Sequence, residues 1–139
     1  MPYLEKYLVV KRSTIPLAGK GLFTKILIPK GARIIEYKGK ITTWNEADHK
    51  GGLNAYLYYV NRNHVIDASI CKNCIARYAN DARGSKKASI LKNNCKYVQD
   101  GLRVFIESMK VIPAHSEILV GYGKKYWDII NNNRRQNRK

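Results

Sequence analysis

Asn73-Cys74-Ile75-Ala76-Arg77-Tyr78-Ala79-Asn80-Asp81-Ala82-Arg83-Gly84, closing on Asn93-Asn94-Cys95-Lys96-Tyr97, is the stretch around which the rest of the chain reads most coherently. A short apolar and aromatic run (Ile75, Ala76, Tyr78, Ala79) stops abruptly at Asn80-Asp81. Asn and Asp side chains bond to nearby backbone in preference to continuing a helix, so the run breaks there. Breaks of this kind carry function more often than the interiors of regular elements.

Toward the amino terminus, Tyr7 to Arg12 is rich in Val, Tyr and Leu and reads as a first strand, ended by Pro16 and Gly19. Gly19-Lys20-Gly21 is either a tight turn or a place where bare backbone meets a ligand. Pro29-Lys30-Gly31 turns the chain into a strand from Arg33 to Ile41 that Gly39 interrupts. Thr43-Trp44-Asn45-Glu46 has capping-box spacing and predicts a short helix toward His49, stopped by Gly51-Gly52. Ala55 to Val60 and His64 to Ala68 form a predicted hairpin across Asn61-Arg62-Asn63. Alternation puts Tyr56 and Tyr58 on one face and Tyr59 on the other, with Tyr58 and Tyr59 read as core packing.

Toward the carboxyl terminus, Gly84 to Lys92 is polar, cationic and aperiodic, a loop insertion. Leu102 to Glu107 is a strand with Val104 and Ile106 on one face and Arg103 and Phe105 on the other. Pro113 ends the apolar stretch after it. Ile118 to Tyr122 reads as a last strand, and Lys124 to Ile130 as a short helix with Tyr126, Trp127 and Ile130 on one face. The expected organisation is one domain over residues 1–123, then a helix and basic tail over 124–139.

Composition bounds the alternatives. A chain of 139 residues has room for one domain. Its 45% hydrophobic content fits a globular protein. Its apolar runs are too short to cross a bilayer, and residues 1–10 show no cleavable signal, so an intracellular location is the expectation. An odd cysteine count, 3, argues weakly against a disulfide framework. Cys71-Lys72-Asn73-Cys74 invites zinc, but only Cys95, His49, His64 and His115 remain to complete four ligands. No metal is assigned, and the cysteines read as reduced, partly buried thiols. The net charge of +16, from 26 basic and 10 acidic residues, speaks about partners and points to a polyanion such as nucleic acid. The tail from Asn131 to Lys139 has no apolar residue to pack and reads as solvated.

Ala76-Arg77-Tyr78-Ala79-Asn80 resembles the Ala-Arg-Phe/Tyr-x-Asn-His run of the SET-domain protein lysine methyltransferases, which is threaded under a later strand as a pseudoknot. Asp81 stands where that family usually has His. Other pieces follow in the family's order. Gly19-Lys20-Gly21-Leu22-Phe23 resembles its G-x-G motif, and Ile28-Pro29-Lys30-Gly31 with Glu36-Tyr37-Lys38-Gly39 its I-x-x-G…E-Y-x-G pair. Tyr56-Leu57-Tyr58 with Val65-Ile66-Asp67-Ala68 resembles its Y-L-F…Y-x-I-D-A hairpin. Asn94-Cys95, then Ile112 to Leu119 (I-P-A-H-S-E-I-L), then Gly121-Tyr122-Gly123 resemble P-N-C, I-x-x-G-E-E-L and D-Y-G. The resemblance covers roughly residues 5 to 127 and rests on the common order of short motifs.

The resemblance implies an α+β, mainly β fold of several small sheets, with a pseudoknot-like crossing and a short C-terminal helix. It implies S-adenosylmethionine as cofactor, contacted by Gly19, Lys20, Gly21, Leu22, Arg77, Asn80, Asp81 and Trp127. The departure at Asp81 leaves its backbone as the contact carried over. No cysteine-rich zinc cluster follows the last strand, so Tyr126 and Trp127 remain to cover the adenine, or a homodimer closes the site. Tyr122 and Tyr56 are the implied catalytic pair, Tyr56 lining the tunnel for the substrate lysine. Val120 stands where relatives often have a Tyr or Phe limiting the number of methyl groups, which implies more than monomethylation. The implied partner is a protein with an accessible lysine, such as a histone or another nucleic-acid-associated protein. Two other readings compete: a small basic nucleic-acid-binding protein, and a SET fold that binds cofactor without catalysis.

Overall fold

The computed structural model describes residues 3–15, 18–47, 49, 56–71, 73–82 and 92–121. These form a mainly β architecture of three small sheets, with no α-helix among the described residues. The expected helix from Lys124 to Ile130, the tail, Tyr122 and Trp127 lie outside the described residues, as does the loop from Gly84 apart from Lys92.

The first sheet pairs β1 (Leu8–Arg12) with β2 (Lys20–Thr24), antiparallel from Leu8 opposite Thr24 to Arg12 opposite Lys20. A 3₁₀ turn at Glu5–Tyr7 precedes β1, so the strand begins one residue later than its composition suggests. The predicted strand from Arg33 divides at Gly39 into β3 (Arg33–Glu36) and β4 (Lys40–Thr42). The third sheet is ordered β4-β6-β5, with β5 (Leu57–Asn61) and β6 (His64–Asp67) making the expected hairpin.

The second sheet, ordered β3-β8-β7-β9, holds much of the core. Its strands are β7 (Cys95–Asp100), β8 (Arg103–Ser108) and β9 (Val120–Gly121) beside β3. In β8, Val104 and Ile106 are fully buried as their alternation predicts. Phe105 is fully buried as well, because Tyr3 packs edge-on to its ring at 5.3 Å and the guanidinium groups of Arg33 and Arg103 lie 4.2 and 4.9 Å from it. A second layer of side chains therefore covers the face that β8 turns away from the core.

Three expectations are corrected. Thr43 does not start a helix: its hydroxyl takes the Glu46 N–H at 3.2 Å and its carbonyl the Ala47 N–H at 2.9 Å, but the residues after it form a single turn. One capped turn lacks the length that makes helix propagation favourable. Tyr59 is half exposed and lies edge-on to Trp44 at 5.4 Å, so it is not a core residue. The cysteines are not three thiols. Hydrogen bonds from Cys71 N–H to Ala68 O and from Cys74 N–H to Cys71 O fold the loop so that the two Cα atoms stand 5.3 Å apart, and Cys71 and Cys74 form a disulfide. Cys95 is the free cysteine, fully buried, and burial pushes its thiol pKa up to about 12.

Candidate active site

Residues 116–120 form the axis on which remote segments meet. Along one side this segment bonds to β2: Thr24 donates to Ser116 O at 3.1 Å, and Ile118 donates to Leu22 O at 2.7 Å. Beyond that, Val120 donates to Asn80 O at 2.8 Å, while Asn94 and Cys95 both donate to Leu119 O at 2.9 Å. The chain thus passes between Asn80 and Asn94, the two ends of the intervening loop. Asn80 makes a parallel bridge with Leu119, and β7 runs parallel to β9 from Cys95 opposite Val120. This is the crossing that the sequence resemblance anticipates.

Side-chain polar groups lock it. Glu117 is buried, and its carboxylate accepts from Ser13 Oγ at 2.7 Å, Thr14 N–H at 2.9 Å, the Thr14 hydroxyl and Asn80 Nδ2 at 3.4 Å. Hydrogen bonds to an ionised acceptor are the strong ones. Gly21 is required here because a Cβ at that position would fall on the Glu117 carboxylate. Asn94 uses both ends of its amide on the same segment, Nδ2 to Glu117 O and Oδ1 from Leu119 N–H, each 2.9 Å. His115, at the glycine position of I-x-x-G-E-E-L, has φ of 69°, a left-handed conformation that glycine adopts at less cost.

The expected cofactor residues divide by what they do. Gly19, with φ of 73° and open space where a Cβ would stand, turns the chain into β2. Lys20 begins the strand, and its carbonyl accepts from Asn80 Nδ2 at 3.1 Å, which brings the G-x-G piece and the Asn80 break together. The Leu22 side chain is fully buried in the core. Asp81 is buried and accepts from Asn93 Nδ2 at 3.0 Å, while Asn93 Oδ1 takes the Ala82 N–H at 2.8 Å. Its side chain therefore ties one end of the loop to the other.

Arg77 serves the hairpin. Its Nη1 donates to Ala68 O and Ser69 O at 2.8 Å each, and its guanidinium lies 4.5 Å from the Tyr56 ring and 5.0 Å from that of Tyr78. Its buried Nε has no hydrogen-bond partner among the described residues. Tyr56, partly buried, is held from both sides, because its carbonyl also accepts from Tyr37 hydroxyl at 2.7 Å. Behind it Tyr37, Tyr58 and Tyr97 form an aromatic group with centroids 5.2–6.1 Å apart. Burial raises the Tyr58 phenol above its ordinary pKa, which keeps it neutral and able to donate at physiological pH. An open cleft of about 300 Å³ between β3, β4 and β6, lined among others by Tyr37, His64 and Arg103, shares no residue with the crossing.

Sequence reasoning missed Ser13 and Thr14 as parts of this site and assigned no role to Asn93 and Glu117, although both lie inside its motifs. Each is a common polar residue whose partner lies far along the chain, and only the spacing of the I-x-x-G-E-E-L piece could have drawn notice to Glu117. The SET domain family matches residues 19–123 of this chain, a span that takes in the G-x-G turn, the Tyr56 hairpin and the whole crossing. The order of motifs, the three small sheets and the threaded segment agree with that match, and the chain belongs to the SET domain family.

Proposed function

We propose that this chain is an S-adenosylmethionine-dependent protein-lysine N-methyltransferase acting on a histone or another basic, nucleic-acid-associated protein. SET domains are typically enzymes of this kind and bind this cofactor. The observation that supports the reading best is the meeting of Gly19-Lys20 with Asn80 at the crossing, since these are the cofactor segments that the motifs imply. The residues present fit the cofactor: an open turn at Gly19 lies one residue from the carbonyl that Asn80 fixes. When bound, the cofactor supplies an electrophilic methyl group on a sulfonium.

The chain's own contribution is position and environment. Alignment of donor and acceptor is worth about 7–11 kcal/mol of barrier. A substrate lysine, with an ordinary pKa of about 10.4, has no lone pair until it loses a proton. Aromatic surroundings penalise its charged form, by the same desolvation that raises the Tyr58 phenol. Tyr56, pinned through its carbonyl and by Arg77 over its ring, orients the neutral amine. Tyr122 follows β9 directly, and its hydroxyl is assigned orientation and electrostatic help, its ordinary pKa of about 10 being too high for a general base.

Calorimetric titration with S-adenosylmethionine, followed by mass spectrometry of lysine-containing substrates, tests the reading. Saturable cofactor binding and mass gains of whole methyl groups are expected. Tyr122→Phe should lower turnover by at least about tenfold while leaving cofactor affinity within about twofold. Cofactor binding without transfer to any lysine substrate would favour the non-catalytic SET fold, and an unchanged Tyr122→Phe enzyme would remove Tyr122 from the mechanism.

A further inference from the structure

The chain has 26 Lys and Arg against 10 Asp and Glu, and the described acids are unevenly placed. Glu36 pairs with Arg103, while Asp100 and Glu107 both pair with Arg33, so these three ion pairs all sit on the second sheet. Asp67, Asp81 and Glu117 are buried and bonded inside the fold, to Ser69 N–H, to Asn93, and to Ser13, Thr14 and Asn80. Lys6, Lys11 and Lys25, in and beside the β1–β2 hairpin, have no ion-pair partner among the described residues, although Glu5 directly precedes Lys6.

Those cations are ordered by the hairpin. Lys25 N–H donates to Tyr7 O at 2.8 Å, which extends the pairing of β1 with β2 by one step beyond Leu8 opposite Thr24. Alternation then puts Lys11 on the same face as Phe23 and Lys25. Lys11 Nζ stands 4.4 Å over the Phe23 ring and Lys6 Nζ 5.1 Å over the Tyr7 ring. Lys6, Lys11 and Lys25 are all exposed. At 3.4 Å per residue, the four steps from Tyr7 to Lys11 cover about 14 Å. Each strand of a nucleic-acid duplex carries a phosphate roughly every 3.4 Å of helix axis, so a row of this length spans more than one phosphate.

We propose that this face of the β1–β2 hairpin is a nucleic-acid-binding surface that contacts the phosphate backbone without reading sequence. A membrane fits it less well. None of the large apolar side chains exposed among the described residues lies on β1 or β2, and Phe23 is buried beneath Lys11. Tyr7, the other ring on this face, is half-buried with the Lys6 amine 5.1 Å over it. The surface also answers a difficulty in the substrate reading, because a chain of charge +16 repels a basic substrate unless a polyanion holds both. The proposal itself does not depend on methyl transfer.

The test uses the full chain, a random-sequence fluorescent DNA duplex, and anisotropy titrations from about 50 to 200 mM salt. The triple variant Lys6→Gln, Lys11→Gln, Lys25→Gln is compared with a charge-matched control, Lys38→Gln, Lys40→Gln, Lys110→Gln. The hairpin triple should weaken binding at least about tenfold and make the log–log salt slope shallower by about 2 to 3, near 0.9 for each lost phosphate contact. The control should lose less than about threefold, and the hairpin triple with Arg at the same three positions should bind like wild type, with circular dichroism confirming the fold of each. Equal losses in the two Gln triples would reduce the effect to diffuse net charge and overturn the assignment. So would loss of binding on truncation at Asn131 with the hairpin triple unaffected, or tighter binding to phosphatidylserine vesicles than to the duplex.

Discussion

The second sheet and the crossing beside it are both buried and both joined by residues far apart in sequence, yet they are held by different chemistry. In the sheet, Ile34, Ile35, Val104, Phe105 and Ile106 are buried, and its charged groups form ion pairs near its surface. At the crossing a carboxylate and two carboxamides sit within the structure, each accepting or donating across gaps of more than twenty residues. Apolar contact is tolerant, since any side chain of suitable volume fills the space at modest cost. Buried polar groups are not tolerant, because removing one partner leaves the others unsatisfied. The sheet supplies a platform, while the crossing fixes where Asn80 stands relative to Gly19 and Lys20.

If that contrast holds, Glu117→Ala should be the most damaging of these changes. It takes the acceptor from Ser13 and Thr14, leaving the Asn80 amide only its bond to Lys20 O, and should cost about 3 kcal/mol, read as a lower urea midpoint at unchanged slope. Glu117→Gln, which keeps one acceptor, should recover part of the loss, and a Glu117→Ala protein as stable as wild type would show the carboxylate to be incidental. Asn94→Ala removes two hydrogen bonds from the same segment and should cost about 2 kcal/mol.

Cys95, opposite Val120 at the edge of the crossing, sharpens the comparison through pH. Its folded pKa is raised to about 12 from an ordinary 9.0, so its contribution is whole below about pH 9 and is lost as pH rises toward 12. Wild type should therefore lose about 1 kcal/mol more than Cys95→Ala between neutral pH and about pH 10. In the native protein Cys95 should resist alkylation, and the unfolded, unreduced chain should show one reactive thiol.

The smallest effect belongs to the sheet's surface. Arg103 donates to the Glu36 carboxylate at 2.8 Å and lowers its pKa, with burial opposing, so the pair contributes above the ordinary carboxylate range near 4.5 and fades as pH falls below it. Its partner Arg103 is largely exposed and the pair is screened, so Glu36→Gln should be barely distinguishable from wild type at neutral pH and still closer at pH 3. A larger loss than that of Asn94→Ala would invert the comparison.

Much of this was legible in advance. The β1, β5–β6 and β8 strands follow from alternation and β-branched composition, and the break at Asn80-Asp81 from side chains that bond locally. The order of short motifs anticipated the family and the crossing. Where the reading went astray, at Thr43, Tyr59 and the cysteines, local signals were outweighed by neighbours: a turn too short to propagate, a Trp44 surface outside the core, and a loop folded by Ala68 and Cys71 carbonyls.

Glu117 and Asn94 mark the boundary between the two kinds of knowledge. Dihedral preference and periodicity within a few positions were enough to mark β1, the β5–β6 hairpin, β8 and the turn at Gly19, whereas β2 and β7 were not read as strands from the pattern. Tertiary contact alone sets the Glu117 carboxylate where a Cβ on Gly21 would fall, ties Asp81 to Asn93, and brings Lys11 and Lys25 to one face with the Lys6 amine over the Tyr7 ring. Those outcomes depend on distances between segments that only the folded chain brings together, and a buried hydrogen bond leaves no period in the sequence.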